Sequence, residues 1–223
     1  MQSAPPEIIL RICALFPLRD LISLSETCHY LLSVIRKYPQ LYPFTIDLNG
    51  KSMKTIQHVL SIYRFHSVTL TIKGWDIREK TILQTPEILD LGYSTAPDHF
   101  LALLDDSSRL KILKVAQCHR FKGYCFLIER TEPFEEVQLH TQFLLQDVFE
   151  ALGQIGSRKL KLTGILNDLN VQMILSSKQC QELELPDSYN ITENAFEIYS
   201  PEIITIRGMK VLTQRKKNIN NYG

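Results

Sequence analysis

The 223-residue sequence is poor in the features that usually announce a chemistry. It contains no G-x-x-x-x-G-K-[ST], no G-x-G-x-x-G, no G-x-S-x-G and no H-E-x-x-H, so the phosphate-cradling, dinucleotide, acyl-transfer and zinc-protease patterns are all missing. Charge of one sign is missing too. Twenty-five basic side chains against 24 acidic ones leave a formal charge of +1, without the basic excess that normally meets nucleic acid or anionic lipid. No run approaches the ~18 uncharged apolar residues of a membrane helix. Met1 to Glu7 lacks a basic start and Arg11 interrupts the first apolar run, so no signal peptide is expected. The five cysteines (Cys13, Cys28, Cys118, Cys125, Cys180) are odd in number and widely spaced. That is no disulfide framework, and a reducing compartment, cytoplasm or nucleus, is the expectation. His29, His58, His66, His99, His119 and His140 are dispersed, with no two at ligand spacing on one helix. Cys118-His119 with Cys125 reads as frame or core cysteine, and no metal or cofactor is expected. Asp105-Asp106 and Glu135-Glu136 read as solvated loops.

What is present is repetition. Eight apolar-x-apolar pairs, each the mark of a short strand with one buried face, recur along the chain: Ile46/Leu48, Leu70/Ile72, Leu89/Leu91, Leu113/Val115, Val137/Leu139, Leu160/Leu162, Leu183/Leu185 and Ile204/Ile206. Their intervals are 24, 19, 24, 24, 23, 23 and 21 residues. In three units a further inward position precedes the pair by three residues: Leu110, Phe134 and Cys180. A single such stripe buries too little to stand alone, whereas stacked stripes make one continuous core.

Between the pairs the spacing turns helical. Met53, Ile56, Val59, Leu60 and Tyr63 form one stripe, and Leu145, Val148, Phe149 and Leu152 another, with Gly153 expected to stop it. Asp98 is expected to cap Phe100 to Leu104, and Thr192 a helix carrying Ala195 and Phe196. The expected class is α/β: strand-helix units on a parallel sheet. A doubly wound sheet, the other α/β arrangement, calls for longer apolar strands and a glycine-rich ligand turn, and neither is visible.

The spacing and the frame L-x-x-L-x-L-x-x-C at Leu110 to Cys118 resemble leucine-rich repeats, whose period is ~20–29 residues. Asn190-Ile191-Thr192-Glu193-Asn194-Ala195-Phe196, followed by Ser200-Pro201-Glu202-Ile203, is similar to the cysteine-containing class of that family. The resemblance implies a right-handed solenoid over residues 46–210 with its parallel sheet on a concave face.

The first forty residues differ. Ile8, Ile9, Ile12, Cys13 and Phe16 make one helical stripe; Leu21, Leu24, Ser25 and Cys28 make a second, expected to be capped by Asp20; Leu31, Leu32 and Ile35 make a third. Pro5, Glu7, Ile8, Ile9, Ile12, Asp20, Leu21, Leu24, Ser25 and Cys28 match the approximate pattern L-P-x-E-I-L-x-x-I, D-L, L-x-L-S-x-V-C-R-x-W, so residues 4 to about 36 resemble an F-box. Ala4, Thr27, His29 and Leu31 depart from it. In that family the segment docks a Skp-type adaptor that leads to a cullin, which implies adaptor-binding roles for Pro5, Glu7, Ile8, Ile9, Ile12, Leu21, Leu24 and Cys28.

The resulting division is an F-box-like helical domain (1–38), a linker (39–45), a repeat solenoid (46–210) and a basic, polar tail (211–223) that includes Arg215-Lys216-Lys217. On the expected concave face the middle positions read Asp47, Thr71, Asp90, Lys114, Gln138, Lys161, Glu184 and Thr205, joined two residues on by Lys73, Ala116, His140, Thr163 and Arg207. Lys111, Lys114, Lys159 and Lys161 give it a basic centre. A protein target is expected on Lys111, Lys114, Gln138, His140, Lys161, Thr163 and Glu184. The combined resemblance implies a non-catalytic substrate-recognition subunit of a Skp-cullin-F-box ubiquitin ligase. The alternative is a ligase-independent scaffold whose helices only cap the stack.

Overall fold

The computed structural model describes residues 4–13, 15–16, 18–37, 45–73, 81–127, 130, 132–186, 190–197, 199–206 and 209–212. Its centre is a mixed α/β arrangement around a nine-stranded sheet whose strands lie side by side in chain order. These are β1 (Thr45–Asp47), β2 (Ser67–Thr69), β3 (Ile88–Asp90), β4 (Ile112–Val115), β5 (Phe134–His140), β6 (Ser157–Thr163), β7 (Glu182–Leu185), β8 (Ile203–Ile206) and β9 (Met209–Leu212). The first eight pair in parallel, and β9 turns back antiparallel along β8. The order never reverses, so the sheet has no topological switch point of the kind that makes the ligand crevice of a doubly wound fold.

Register corrects one of the eight pairs. Ile46, Val68, Leu89, Leu113, Val137, Leu160, Leu183 and Ile204 form a single row across the sheet. The second pair is therefore Val68/Leu70 rather than Leu70/Ile72, and the intervals become 22, 21, 24, 24, 23, 23 and 21 residues. Every member of that row is buried. A fully buried Leu or Val contributes ~1.5–3 kcal/mol relative to leaving it exposed, so this row holds the strands together jointly with the equally buried Leu48, Leu70, Leu91, Val115, Leu139, Leu162 and Leu185. The opposite row becomes Asp47, Thr69, Asp90, Lys114, Gln138, Lys161, Glu184 and Thr205, and the row two residues on carries Thr71 in place of Lys73.

Crossovers are helical where the stripes are long. They include α4 (Met53–Ile62), α5 (Pro97–Leu101), α6 (Gln146–Ile155) and α7 (Asp168–Ile174), with single 3₁₀ turns at Tyr124–Leu127 and Glu193–Phe196 in other units. Upstream lie α1 (Pro6–Cys13), α2 (Leu18–Thr27) and α3 (His29–Lys37). Asp20 sits in the first turn of α2 rather than at its cap, where its carboxylate complements the helix dipole.

Two further expectations change. Gly153 does not stop α6, which runs to Ile155 and ends at Gly156 with φ 77°. Gly153 lies where α6 meets α7, and a Cβ there would stand 2.0 Å from the Met173 carbonyl oxygen. Asp98 caps nothing in its own helix; its carboxylate accepts from the Lys122, Gly123 and Tyr124 N–H groups of the next unit at 2.9, 2.8 and 3.0 Å. Thr192 does cap, though a 3₁₀ turn rather than an α-helix, accepting from Asn194 N. Asp168 repeats Asp98's device, accepting from Thr192 N and Thr192 Oγ1 at 2.6 Å each. Small side chains three residues past a strand's second inward position bond back to neighbouring turns. Ser94 Oγ accepts from Ile72 N at 2.8 Å, and Cys118 Sγ lies 3.2 Å from the Gly92 carbonyl. That column explains a cysteine at this slot: a compact donor that tolerates full burial.

The acidic pairs are not plain loops. Asp105 accepts from Thr85 N and Oγ1 at 2.9 and 2.8 Å and pairs with Arg64 at 3.0 Å, while Asp106 caps the 3₁₀ turn Ser107–Arg109. Glu135 and Glu136 belong to β5.

Candidate functional site

Two surfaces carry the residues singled out in the sequence. The first is α1. A helix rotates about 100° per residue, so Ile9 and Cys13 share one side with Leu10 beside them, and Ile8 and Ile12 share another, with Leu15 and Phe16 in the turn that follows. The first set is buried, as is Val34 of α3, and α1 packs on α3. The second set is open: Ile8 is 51% exposed, Ile12 49%, Leu15 84% and Phe16 39%. The single stripe expected at Ile8, Ile9, Ile12, Cys13 and Phe16 is thus two stripes on opposite duties. Pro5 and Glu7 are exposed; the Pro5 carbonyl accepts from Ile8 N and Ile9 N and starts the helix. Leu24 and Cys28 are half-buried. Leu21 lies in α2, but its side chain falls outside the described residues, as do Arg207 and Arg215-Lys216-Lys217. Leu15 was missed by the motif and was legible as the i+7 partner of Ile8.

The second surface is the open face of the sheet. Gln138, Lys161 and Glu184 stand in one register row and line, with Glu136, Lys159, Glu182 and Thr205, a shallow depression of about 240 Å³. His140 and Thr163 follow at the rim, two residues on. Lys114 is half-buried in the same row one strand back, while Lys111 precedes β4 and stands outside the depression.

Charge on this face differs from the basic centre expected. Lys161 pairs with Glu184 at 2.7 Å and Lys159 with Glu182 at 3.0 Å, each across to the adjacent strand, and Lys111 pairs with Glu87 at 2.8 Å just ahead of β4 and β3. The Lys111 bond holds the Glu87 carboxyl below its ordinary range, and the same bond raises Lys111. Parallel register sets a glutamate one strand from Lys159 and Lys161, and with Glu87 beside Lys111 the three lysines are locally neutralised. Exposed pairs of this kind contribute little stability, with a median of ~0–1 kcal/mol, so what they set is the pattern of the face.

Among the described residues no group of three or more His, Cys, Asp and Glu side chains converges as for a metal ion, and no helix is long and apolar enough to cross a membrane. Burial pushes the thiols of Cys118 and Cys180 up to about 12 and raises that of Cys125 as well. These sulfurs are held as thiols, the reverse of the lowered pKa that activates a nucleophile. No protein-family model matches the chain, and no curated protein matches it.

Proposed function

We propose that the protein is a substrate-recognition subunit of a Skp-cullin-F-box ubiquitin ligase, in which the F-box-like segment (residues 1–38) docks the adaptor and a leucine-rich-repeat solenoid presents a protein target. The observation that carries the reading is the junction of three short helices at the F-box-like motif with a stack of parallel strands spaced 21–24 residues apart in unbroken chain order. The stack supports a right-handed repeat solenoid because the period falls within the leucine-rich range and Cys118 occupies the inward slot after its strand. The open apolar side of α1 and of the turn after it supports docking: Ile8 and Ile12 on the helix, with Leu15 and Phe16 just beyond it, are exposed apolar groups suited to being covered by a protein. The target would lie across Gln138, Lys161 and Glu184, where alternating charge suits a protein of mixed sign.

The test is co-purification of the full chain with a Skp-type adaptor, comparing wild type with Ile8→Asp/Ile12→Asp. Both positions are about half exposed, so the variant is expected to fold. Wild type is expected to hold the adaptor and the variant to lose it at least tenfold. A wild type that binds no adaptor while folded removes this reading. The scaffold alternative draws on the buried Ile9, Leu10, Cys13 and Val34, and it predicts that removing residues 1–38 leaves an aggregating remainder.

A further inference from the structure

His119 and His140 are 21 residues apart in sequence, and the stack brings their rings together at the same rim of the sheet. Their centroids lie 4.5 Å apart with the planes at 86°, and His119 Nδ1 stands 3.4 Å from His140 Nε2. The side-chain oxygen of Gln142, on the turn after β5, lies 3.3 Å from the same His140 nitrogen.

Neighbouring oxygens hold the His140 ring on both sides. Thr163 Oγ1 lies 3.1 Å from both the Ala116 and Leu139 carbonyls, so its one proton is committed to them. It also stands 3.1 Å from His140 Nδ1, where it can accept from that nitrogen and hold the ring in place. Nε2 faces His119 Nδ1 and the Gln142 side-chain oxygen; that oxygen can only accept, so an ion bound here would take the place of the Nε2 proton that it otherwise receives. This is the arrangement that orients a metal-binding imidazole: one nitrogen donates to a fixed acceptor and the other faces outward. Bonds of about 2.05 Å at tetrahedral angles put two ligand atoms about 3.3–3.4 Å apart, which is the spacing of both contacts. His140 is buried and fixed, whereas His119 is exposed and able to re-aim. Cys118 beside it points inward, its Sγ 3.2 Å from the Gly92 carbonyl, and takes no part.

We propose that His119 and His140, with the Gln142 side-chain oxygen as a weaker third donor, form a site for one imidazole-preferring divalent ion of the zinc, nickel or copper class. The ion would tie the turn after β4 to the end of β5 and leave a coordination position open at the rim for water or a donor from a bound protein. The site does not depend on the adaptor reading.

Zinc chloride is titrated calorimetrically into the full chain, purified without a polyhistidine tag, alongside His119→Gln and His140→Gln. One equivalent is expected to bind wild type, with affinity falling at least tenfold in each variant. His119→Gln keeps the test decisive should His140→Gln fold poorly, since His119 is exposed. Imidazole nitrogen NMR gives a second readout: zinc should shift His119 Nδ1 and His140 Nε2 and leave His140 Nδ1 protonated. Equal zinc binding in wild type and His119→Gln, or none below millimolar zinc, overturns the proposal.

Discussion

Asp98 shows how much of this fold hangs on single side chains reaching across units. Its two oxygens satisfy three N–H groups that start the Tyr124–Leu127 turn. Hydrogen bonds to a charged group contribute ~1.5–3 kcal/mol, and unpaired donors add a penalty. Asp98→Ala is therefore expected to cost about 2–3 kcal/mol in denaturant unfolding, while Asp98→Asn, which retains one acceptor oxygen, should lose about half as much. Asp105 offers a pH test. Burial by itself raises its pKa, but the Thr85 hydroxyl and amide together with the Arg64 guanidinium outweigh burial and hold the carboxyl below its ordinary range. A depressed folded-state value means stability present above the unfolded pKa of ~3.9 and lost as pH falls through the lower folded value. Unfolding free energies measured from ~pH 6 to ~pH 2.5 should accordingly fall more steeply for wild type than for Asp105→Asn. Matching slopes would show that Asp105 carries none of the acid sensitivity.

Within single elements, register decides what periodicity leaves open. Val68, Leu70 and Ile72 are all apolar and all buried, so alternation along that stretch has a period but no phase. The phase comes from β2's pairing with β1 and β3, which aligns Val68 with Ile46 and Leu89. Pairs such as Val137/Leu139, Leu160/Leu162 and Leu183/Leu185 were legible because polar or turn residues bound them on both sides. Gly153 was misread for a similar reason: glycine stops a helix when exposed at its end, but here the close approach of α7 demands it. The α1 motif was legible as a helix, whereas its division into a buried and an open side follows from packing on α3. The His119–His140 juxtaposition was invisible along the chain because it depends on lateral register. The same lateral logic predicts the behaviour of Lys161 and Glu184. Both are about 40% exposed, so a double-mutant cycle to Ala should give a coupling below ~1 kcal/mol that shrinks further in salt. A coupling of several kcal/mol would mean that the pair is far less solvated than its exposure indicates.

On the scale of the whole molecule, a sheet in unbroken chain order has neighbours only to either side, so stability should be distributed rather than all-or-none. The ladder is uneven. β5 and β6 are seven residues long, whereas β1, β2 and β3 have three each. Hydrogen exchange should therefore be slowest in β5 and β6 and quicken toward β1, since local opening draws on regions with few buried contacts and short ladders. Leu113→Ala and Ile46→Ala remove buried side chains from the same register row, at its middle and at its first strand. Truncations of this kind cost ~2–5 kcal/mol. The middle one should quicken exchange throughout β3 to β6, because opening there separates the units on both sides. The terminal one should quicken exchange in β1 and β2 and leave β5 unchanged. If Ile46→Ala instead quickened exchange in β5 and β6 as much as in β1, the stack would be a single cooperative unit, and the nearest-neighbour account of its stability would be wrong.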